Sequence, residues 1–130
     1  MNTESDSYRT GLALVERLHG GHTGQAMIDE MKTVCPAFAE MTIAWAFGGV
    51  MARPGLDLLT RQLALCAACV TLGNALPQLR AHLEAALALG ATRDQLVELI
   101  LQMLFYAGGP ATRNALVVAE EVFARAQPPR

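Results

Sequence analysis

The stretch GATRDQLVELILQ, from Gly90 to Gln102, carries the strongest local signal for the fold class of this chain. Thr92 is a favourable N-cap residue, and Gln95, three positions later, completes a capping box. Gly90 suits the position just after a preceding helix, where a left-handed backbone is common. The stretch therefore predicts the end of one helix and the start of another, which runs to about Tyr106.

Glycine and proline divide the rest of the chain into helical segments in the same way. The predicted helices cover residues 5–19, Thr23 to about Val34, Pro36 to just before Pro54, Asp57 to about Leu72, Leu76 to Leu89, Thr92 to Tyr106, and the segment from the Gly108-Gly109-Pro110 break to about Ala126. No segment alternates with period two over a convincing length. The sequence predicts an all-α fold of about seven helices. We expect one domain, 1–130, with frayed ends at 1–4 and 127–130.

The composition of the chain argues against a membrane-spanning protein and a nucleic-acid-binding protein. The chain has 130 residues, of which 52% are hydrophobic, yet no apolar run is long enough to span a bilayer. Such apolarity on a short chain favours burial of some surface between subunits. The net charge of −2, with scattered Lys and Arg, argues against a nucleic-acid partner. The polar N-terminus lacks the pattern of a signal peptide and predicts a cytoplasmic protein.

The segment Cys66-Ala-Ala-Cys69 could be a redox pair, half a metal site or two small buried residues. A reactive thiol needs a lowered pKa, which a helix N-terminus or a nearby cation can provide. Both cysteines lie well inside the predicted fourth helix among apolar neighbours, a setting that raises a thiol pKa. A second pair of ligands is missing, so no metal site is expected. We interpret both as small apolar residues on one helix face.

Several further motifs occur in a consistent order: RPGLD (53–57), RAHLEAAL around His82, GATRDQLVELILQ (90–102), YAGGPA (106–111) and AEEVFA (119–124). Together they resemble the carboxymuconolactone decarboxylases, which share an all-helical fold with the alkylhydroperoxidase D-type proteins. A weaker match runs from Tyr8 to the WAFGG segment at Trp45.

The resemblance implies a cytoplasmic homo-oligomer, often a trimer or hexamer, that works without cofactor or metal. The reaction it implies is removal of CO2 from 4-carboxymuconolactone in aromatic breakdown. Two positions depart from the family pattern. Where the family usually has Trp-Gly-Glu before RPGLD, this chain has Phe47-Gly48-Gly49, and where it often has Cys, this chain has Ala107. The missing acid points to a related reaction on another substrate.

Three residues are the candidates for catalysis. Decarboxylation without a cofactor needs an oriented carboxylate, an electron sink and a proton donor. His82 is the candidate for proton transfer, with a core-edge histidine bonded to a carbonyl as the alternative. Arg53 is the candidate carboxylate clamp, or a surface arginine at a helix end. Tyr106 could donate to a developing oxyanion, or pack with its hydroxyl on a carbonyl.

Further residues are candidates for binding substrate. Trp45, Met41 and Phe105 are interpreted as wall of a pocket or, at their helical spacing, of the core. His22 could fold over a pocket mouth or lie exposed in a loop. Arg113 follows the GGPAT turn near the start of the last helix and is a weaker candidate for a carboxylate clamp, with a solvated surface arginine as the alternative.

Three functions follow from these observations. The first is a cofactor-independent lyase or isomerase-type enzyme acting on a small carboxylated lactone or related enolisable acid. The second is a thiol-dependent peroxidase, which would need Cys66 and Cys69. The peroxidase relatives carry a His four residues after the second Cys, where this chain has Gly73. The third is a non-catalytic binding or assembly subunit, which a pocket filled by core side chains would favour.

Overall fold

The structure, a computed structural model, describes residues 5–19 and 23–126. Its elements are α1 (Asp6–His19), α2 (Thr23–Val34), α3 (Pro36–Met41), the π-helix π1 (Thr42–Met51), α4 (Leu58–Leu72), α5 (Leu76–Ala88), α6 (Arg93–Gln102), a 3₁₀ turn (Met103–Phe105) and α7 (Gly109–Ala126). No strand occurs in these two ranges. The all-α prediction is confirmed. The predicted end of the first helix at Gly20-Gly21 lies outside the described residues, as do the predicted frayed ends.

The chain forms two compact units, Met1–Asp57 and Leu58–Arg130. In the first unit, α1 and π1 pack backbone against backbone. A Cβ atom on Gly11 would overlap the backbone carbonyl of Ile43, and one on Gly48 would overlap that of Ser7. Only glycine permits this approach. Among the described side chains of the unit, the buried apolar ones are Val15, Leu18, Ala39, Ile43 and Met51.

The third predicted helix is correct in extent but changes its type along its length. A six-residue α-helix, α3, passes into the wider π-helix π1 at Thr42. At its end the Ala52 amide donates to the Phe47 carbonyl at 3.0 Å, the i to i−5 pattern of a π-helix. Apolar spacing predicts a helix here but does not distinguish between the two hydrogen-bond patterns.

In the second unit, α4 to α7 surround one hydrophobic core. Its buried residues are Cys66, Cys69, Val70, Leu79, Leu83, Ala86, Ala91, Leu96, Ile100, Ala115, Val118, Ala119 and Val122. None of the helices in the described ranges is long and apolar enough to cross a membrane.

The helix boundaries of this unit follow the predicted signals. Gly90 has φ +104°, as expected after a helix end. The Gln95 amide donates to Thr92 Oγ1 at 3.1 Å and the Thr92 amide donates to Gln95 Oε1 at 2.9 Å, which confirms the capping box. The helix ends at Gln102, and a 3₁₀ turn covers the remainder of its predicted length.

The predicted break between helices at Gly108-Gly109-Pro110 involves fewer residues than the sequence suggests. Gly108 has φ +84° and ends the preceding turn. Gly109 already begins α7, and Pro110 lies in its first turn. A proline is tolerated there because the first amides of a helix have no partner within it.

Candidate functional site

The central feature of the second unit is a hydrogen bond between His82 on α5 and Gln62 on α4. His82 Nδ1 lies 2.8 Å from Gln62 Oε1. His82 is half-buried, and Leu79 and Leu83 on either side of it are wholly buried. Gln62 has no exposed surface. The histidine therefore lies at the edge of the core with its ring held from the buried side.

Gln62 is the residue of this pair that sequence reasoning missed. Its signal was available: Gln62, Cys66 and Cys69 lie on one face of α4, and the structure buries all three. A glutamine on a buried apolar face is unusual, because buried polar groups need partners. Gln62 Oε1 has such a partner, whereas Gln62 Nε2 is buried and has none within residues 5–19 and 23–126.

The pair can support proton transfer. Imidazole exchanges protons near neutral pH, and a general acid or base must hold a fixed orientation toward the reacting atom. The contact with Gln62 restricts rotation of the His82 ring. The predicted alternative for His82, a core-edge histidine bonded to a carbonyl, describes the same location, but the carbonyl belongs to a side chain 20 residues away.

The two cysteines of the C-x-x-C are free and buried, as interpreted from the sequence. Burial raises the pKa of the Cys66 thiol to about 12, and the nearby Cys69 adds to the shift. Burial also raises the pKa of Cys69. A nucleophilic thiol must be ionised, so burial disfavours both groups as nucleophiles at neutral pH. Nothing at this segment favours redox chemistry.

Phe105 and Tyr106 are almost wholly exposed, at 85% and 87%. The core interpretation of Phe105 is wrong, and so is packing of Tyr106 against a carbonyl. The 3₁₀ turn that follows α6 directs both rings away from the core, and their centroids lie 6.4 Å apart. Tyr106 thus presents its hydroxyl on the surface of the second unit as the structure describes it.

Arg113 is exposed on α7, where its Nη1 donates to Asn114 Oδ1 at 3.2 Å. It lines a shallow groove of about 440 Å³ together with apolar side chains of α6, the 3₁₀ turn and α7. A neighbouring groove of about 500 Å³ includes Arg93 and Phe123. His82 belongs to the lining of neither groove. Arg113 and His82 are therefore not joined by these grooves.

In the first unit, Met41 and Trp45 are 55% and 72% exposed. The core interpretation is wrong for both, because Ile43 takes the buried side of this segment. Met41 and Trp45 continue an exposed apolar stripe that begins with Val34 and Phe38. Apolar spacing alone does not indicate which side of a helix contacts its neighbours.

Arg53 is exposed in the segment between π1 and α4, where its amide donates to the Val50 carbonyl at 3.1 Å. Its convergence with His82 remains a prediction, as the two residues belong to different units. His22 lies outside the described residues. Among the residues described there is no cluster of three or more His, Cys, Asp or Glu that could hold a metal ion.

Gly49, where the resemblance implies a missing acid, has room for a side chain. A Cβ atom there would lie 3.6 Å from the Ala44 carbonyl oxygen and 4.0 Å from Trp45 Cδ1. Both are ordinary van der Waals distances. The absence of a carboxylate at this position is therefore not required by backbone packing, in contrast to the glycine at Gly48.

Known proteins match most of this chain. The carboxymuconolactone decarboxylase family profile matches residues 36–121. A 4-carboxymuconolactone decarboxylase of Acinetobacter baylyi is 37% identical over 123 residues, which cover 95% of this chain and 90% of the relative. A 15.0 kDa protein of Paracoccus denitrificans is 43% identical over 88 residues, covering 66% of this chain and 64% of the relative. A nitrosuccinic acid decarboxylase of Metarhizium robertsii is 32% identical over 87 residues, covering 63% of this chain and 57% of the relative. This chain belongs to the carboxymuconolactone decarboxylase family.

Proposed function

We propose that this protein is a carboxy-lyase that works without a cofactor on a small carboxylated lactone or a related enolisable acid. Two of its relatives are named as decarboxylases, of 4-carboxymuconolactone and of nitrosuccinic acid. The observation that carries the proposal is the His82–Gln62 pair, an oriented imidazole within the region matched by the family profile.

The two named substrates share one chemical requirement. When the bond to the carboxylate breaks, its electron pair passes to a conjugated oxygen, giving a dienolate from the lactone or a nitronate from the nitro acid. CO2 leaves, and the carbon skeleton then takes up one proton to complete the product. The enzyme must therefore orient the carboxylate, stabilise charge on the sink oxygen and deliver that proton.

The proposed roles follow these three tasks. His82 delivers the proton and is reprotonated from water. Arg53 orients the carboxylate through its paired donors, and Tyr106 donates to the sink oxygen. Met41, Trp45, His22 and Arg113 are proposed to contact the remainder of the substrate.

The substrate class is set partly by Gly49. With glycine in place of the family glutamate, the site has one acid fewer, and we propose that this changes substrate choice while the lyase chemistry is retained. We propose that the protein acts in aromatic catabolism or in a related biosynthetic pathway, in the cytoplasm.

We further propose that the protein is a homo-oligomer, a trimer or hexamer as the family resemblance implies. Both units expose large apolar side chains, including Trp45, Phe105 and Tyr106. Exposed apolar surface of this kind favours burial against another subunit. A substrate site completed by the partner subunit would also shield the exposed Tyr106 from bulk water.

The proposal is tested by incubating metal-free protein with 4-carboxymuconolactone and, separately, with nitrosuccinate, while CO2 release and substrate loss are followed. We expect wild type to turn over at least one of these acids. His82→Ala should lose this activity, whereas Cys66→Ala and Cys69→Ala should both keep it. Turnover that depends on either cysteine would instead support the thiol-dependent alternative. Absence of turnover on both acids by folded wild type would contradict the proposal for these substrates.

A further inference from the structure

We propose that Gln62 is a positioning residue that holds the His82 proton on Nδ1, which makes Nε2 the ring nitrogen that exchanges a proton with the substrate. The catalytic half of this inference rests on the proposed lyase function. The assignment of the ring proton does not, because it concerns the hydrogen bond between two side chains of this unit.

The geometry supports the assignment first through the chemistry of the acceptor. The atom that faces His82 Nδ1 is Gln62 Oε1, at 2.8 Å. An amide oxygen accepts hydrogen bonds and cannot donate. The hydrogen atom of this bond must therefore sit on Nδ1. In a neutral imidazole the other nitrogen, Nε2, then carries the lone pair.

Burial makes this arrangement rigid. Gln62 has no exposed surface and shares the buried face of α4 with Cys66 and Cys69. An enclosed side chain has few alternative rotamers, because interiors are close-packed. The orientation of the His82 ring is thus set from the core, while the half-buried ring itself lies nearer the surface.

The Nε2 end of the same amide shows that glutamine is an unfavourable residue at this buried position. Gln62 Nε2 is buried and has no hydrogen-bond partner among the residues that the structure describes. An unmatched buried donor is unfavourable, and an apolar residue of similar size would avoid it. The presence of glutamine at this enclosed position is accounted for if its oxygen is needed by His82.

The neutral charge of Gln62 also suits a residue that must donate and regain a proton. Nδ1 keeps its hydrogen in both the neutral and the charged form of imidazole, so the bond to Oε1 persists through the proposed cycle. A carboxylate at this position would stabilise the charged imidazolium and so make it a weaker acid toward the substrate. An amide holds the ring without that bias.

The first experiment measures the ring proton directly by ¹⁵N NMR of histidine-labelled protein at alkaline pH, where the imidazole is neutral. We expect His82 in wild type to show a protonated Nδ1 and an unprotonated Nε2. Gln62→Met removes the acceptor at similar size and is expected to shift the ring toward the opposite tautomer. Gln62→Glu keeps an acceptor and is expected to keep the proton on Nδ1. Cys66→Ala, one turn further on the same buried face, is the packing control and is expected to leave the tautomer unchanged.

The second experiment applies once a substrate is turned over. Gln62→Met is expected to lower kcat by about 10- to 100-fold with little change in KM, a part of the roughly 10²–10⁴ that general acid–base catalysis contributes. Gln62→Glu is expected to move the pH–rate profile upward in pH, because the carboxylate stabilises the charged ring.

Two results would overturn the inference: an unprotonated Nδ1 in wild type, or an unchanged tautomer in folded Gln62→Met. If Gln62→Met fails to fold, loss of the Nδ1 proton in Gln62→Glu would overturn it as well. A protonated Nδ1 in a protein without turnover would support the positioning role while the lyase proposal fails, so the two failures are distinguishable.

Discussion

At the scale of single residues, burial on one face of α4 affects two kinds of side chain, the thiol and the amide, in opposite ways. The same face carries Cys66, Cys69 and Gln62. Enclosure lowers the reactivity of the thiols because it disfavours the thiolate. The same enclosure strengthens the hydrogen bond that Gln62 Oε1 accepts, because the electrostatic attraction in a hydrogen bond is greater in the protein interior than in water. One environment therefore suppresses one possible function and supports another.

The thiols provide a direct prediction. Iodoacetamide near neutral pH should modify the exposed Cys35 and leave Cys66 and Cys69 unmodified, because burial keeps the latter two protonated and inaccessible. Mass spectrometry of peptides from the treated native protein gives the sites. The same reagent in denaturant should modify all three. Rapid modification of Cys66 in the native state would contradict the assignment of an inert, buried thiol.

Cys66 should also contribute to loss of stability in alkali. Its pKa rises from 9.0 to about 12 in the folded protein, so between these values the folded state binds the proton more tightly than the unfolded state. The stability that this group contributes is present below the lower value and is lost as pH rises through the higher one. Denaturant unfolding at increasing pH should show a smaller alkaline loss in Cys66→Ala than in wild type. Equal losses in the two proteins would contradict this contribution.

At the scale of elements, adjacent glycines of π1 serve different purposes. Gly48 permits close contact with α1, whereas Gly49 has space for a side chain. We expect Gly48→Ala to destabilise the protein by about 1–3 kcal/mol through overpacking. Gly49→Ala should be neutral or stabilise it by up to about 1 kcal/mol, because alanine restricts the unfolded chain. Denaturant unfolding of the two variants, one position apart, provides a matched comparison, and equal effects would contradict the described packing.

Gly49→Glu extends this comparison from stability to activity. The variant restores the acid that the family resemblance implies, at a position where a Cβ atom is accommodated. It should fold as well as Gly49→Ala and turn over 4-carboxymuconolactone faster than wild type, if the missing acid determines substrate choice. The measurement is kcat/KM for both acids. A folded variant with an unchanged ratio of the two values would show that Gly49 does not set specificity.

The capping box at the start of α6 makes a separate contribution to stability. Thr92 Oγ1 accepts from the Gln95 amide, and that bond is lost in Thr92→Ala. We expect a destabilisation of about 0.5–2 kcal/mol. Thr92→Ser retains the hydroxyl and should remain close to wild type. Unfolding midpoints in denaturant measure both, and equal losses in the two variants would indicate that the cap is not responsible.

At the scale of the whole molecule, the exposed apolar side chains make a prediction about association. Phe105 is 85% exposed, and Leu101 and Leu104 beside it are also exposed. If this surface is covered by another subunit, Phe105→Glu should lower the mass in light scattering or raise the concentration at which association occurs. Glu98→Gln, on an exposed position of α6, is the control and should associate like wild type. A wild-type protein that stays monomeric at all concentrations would contradict the proposed oligomer.

The sequence by itself determined the features that depend on near neighbours. The capping box of Thr92 and Gln95 lies within four residues, and the left-handed turn at Gly90 depends on one residue, so both were predictable and both are confirmed. The all-α class followed from apolar spacing, and the inert setting of the C-x-x-C followed from the apolar residues around it.

Tertiary structure alone decided which side of each helix contacts the core. It exposed Trp45 and Phe105, which share the helical spacing of core residues, and it buried Gln62, which was not among the candidate residues. It also joined Gln62 to His82 across 20 residues and two helices. Periodicity defines a stripe along a helix, but the partner that covers the stripe is chosen by packing between distant segments. The orientation of the candidate catalytic histidine is therefore a property of the folded unit.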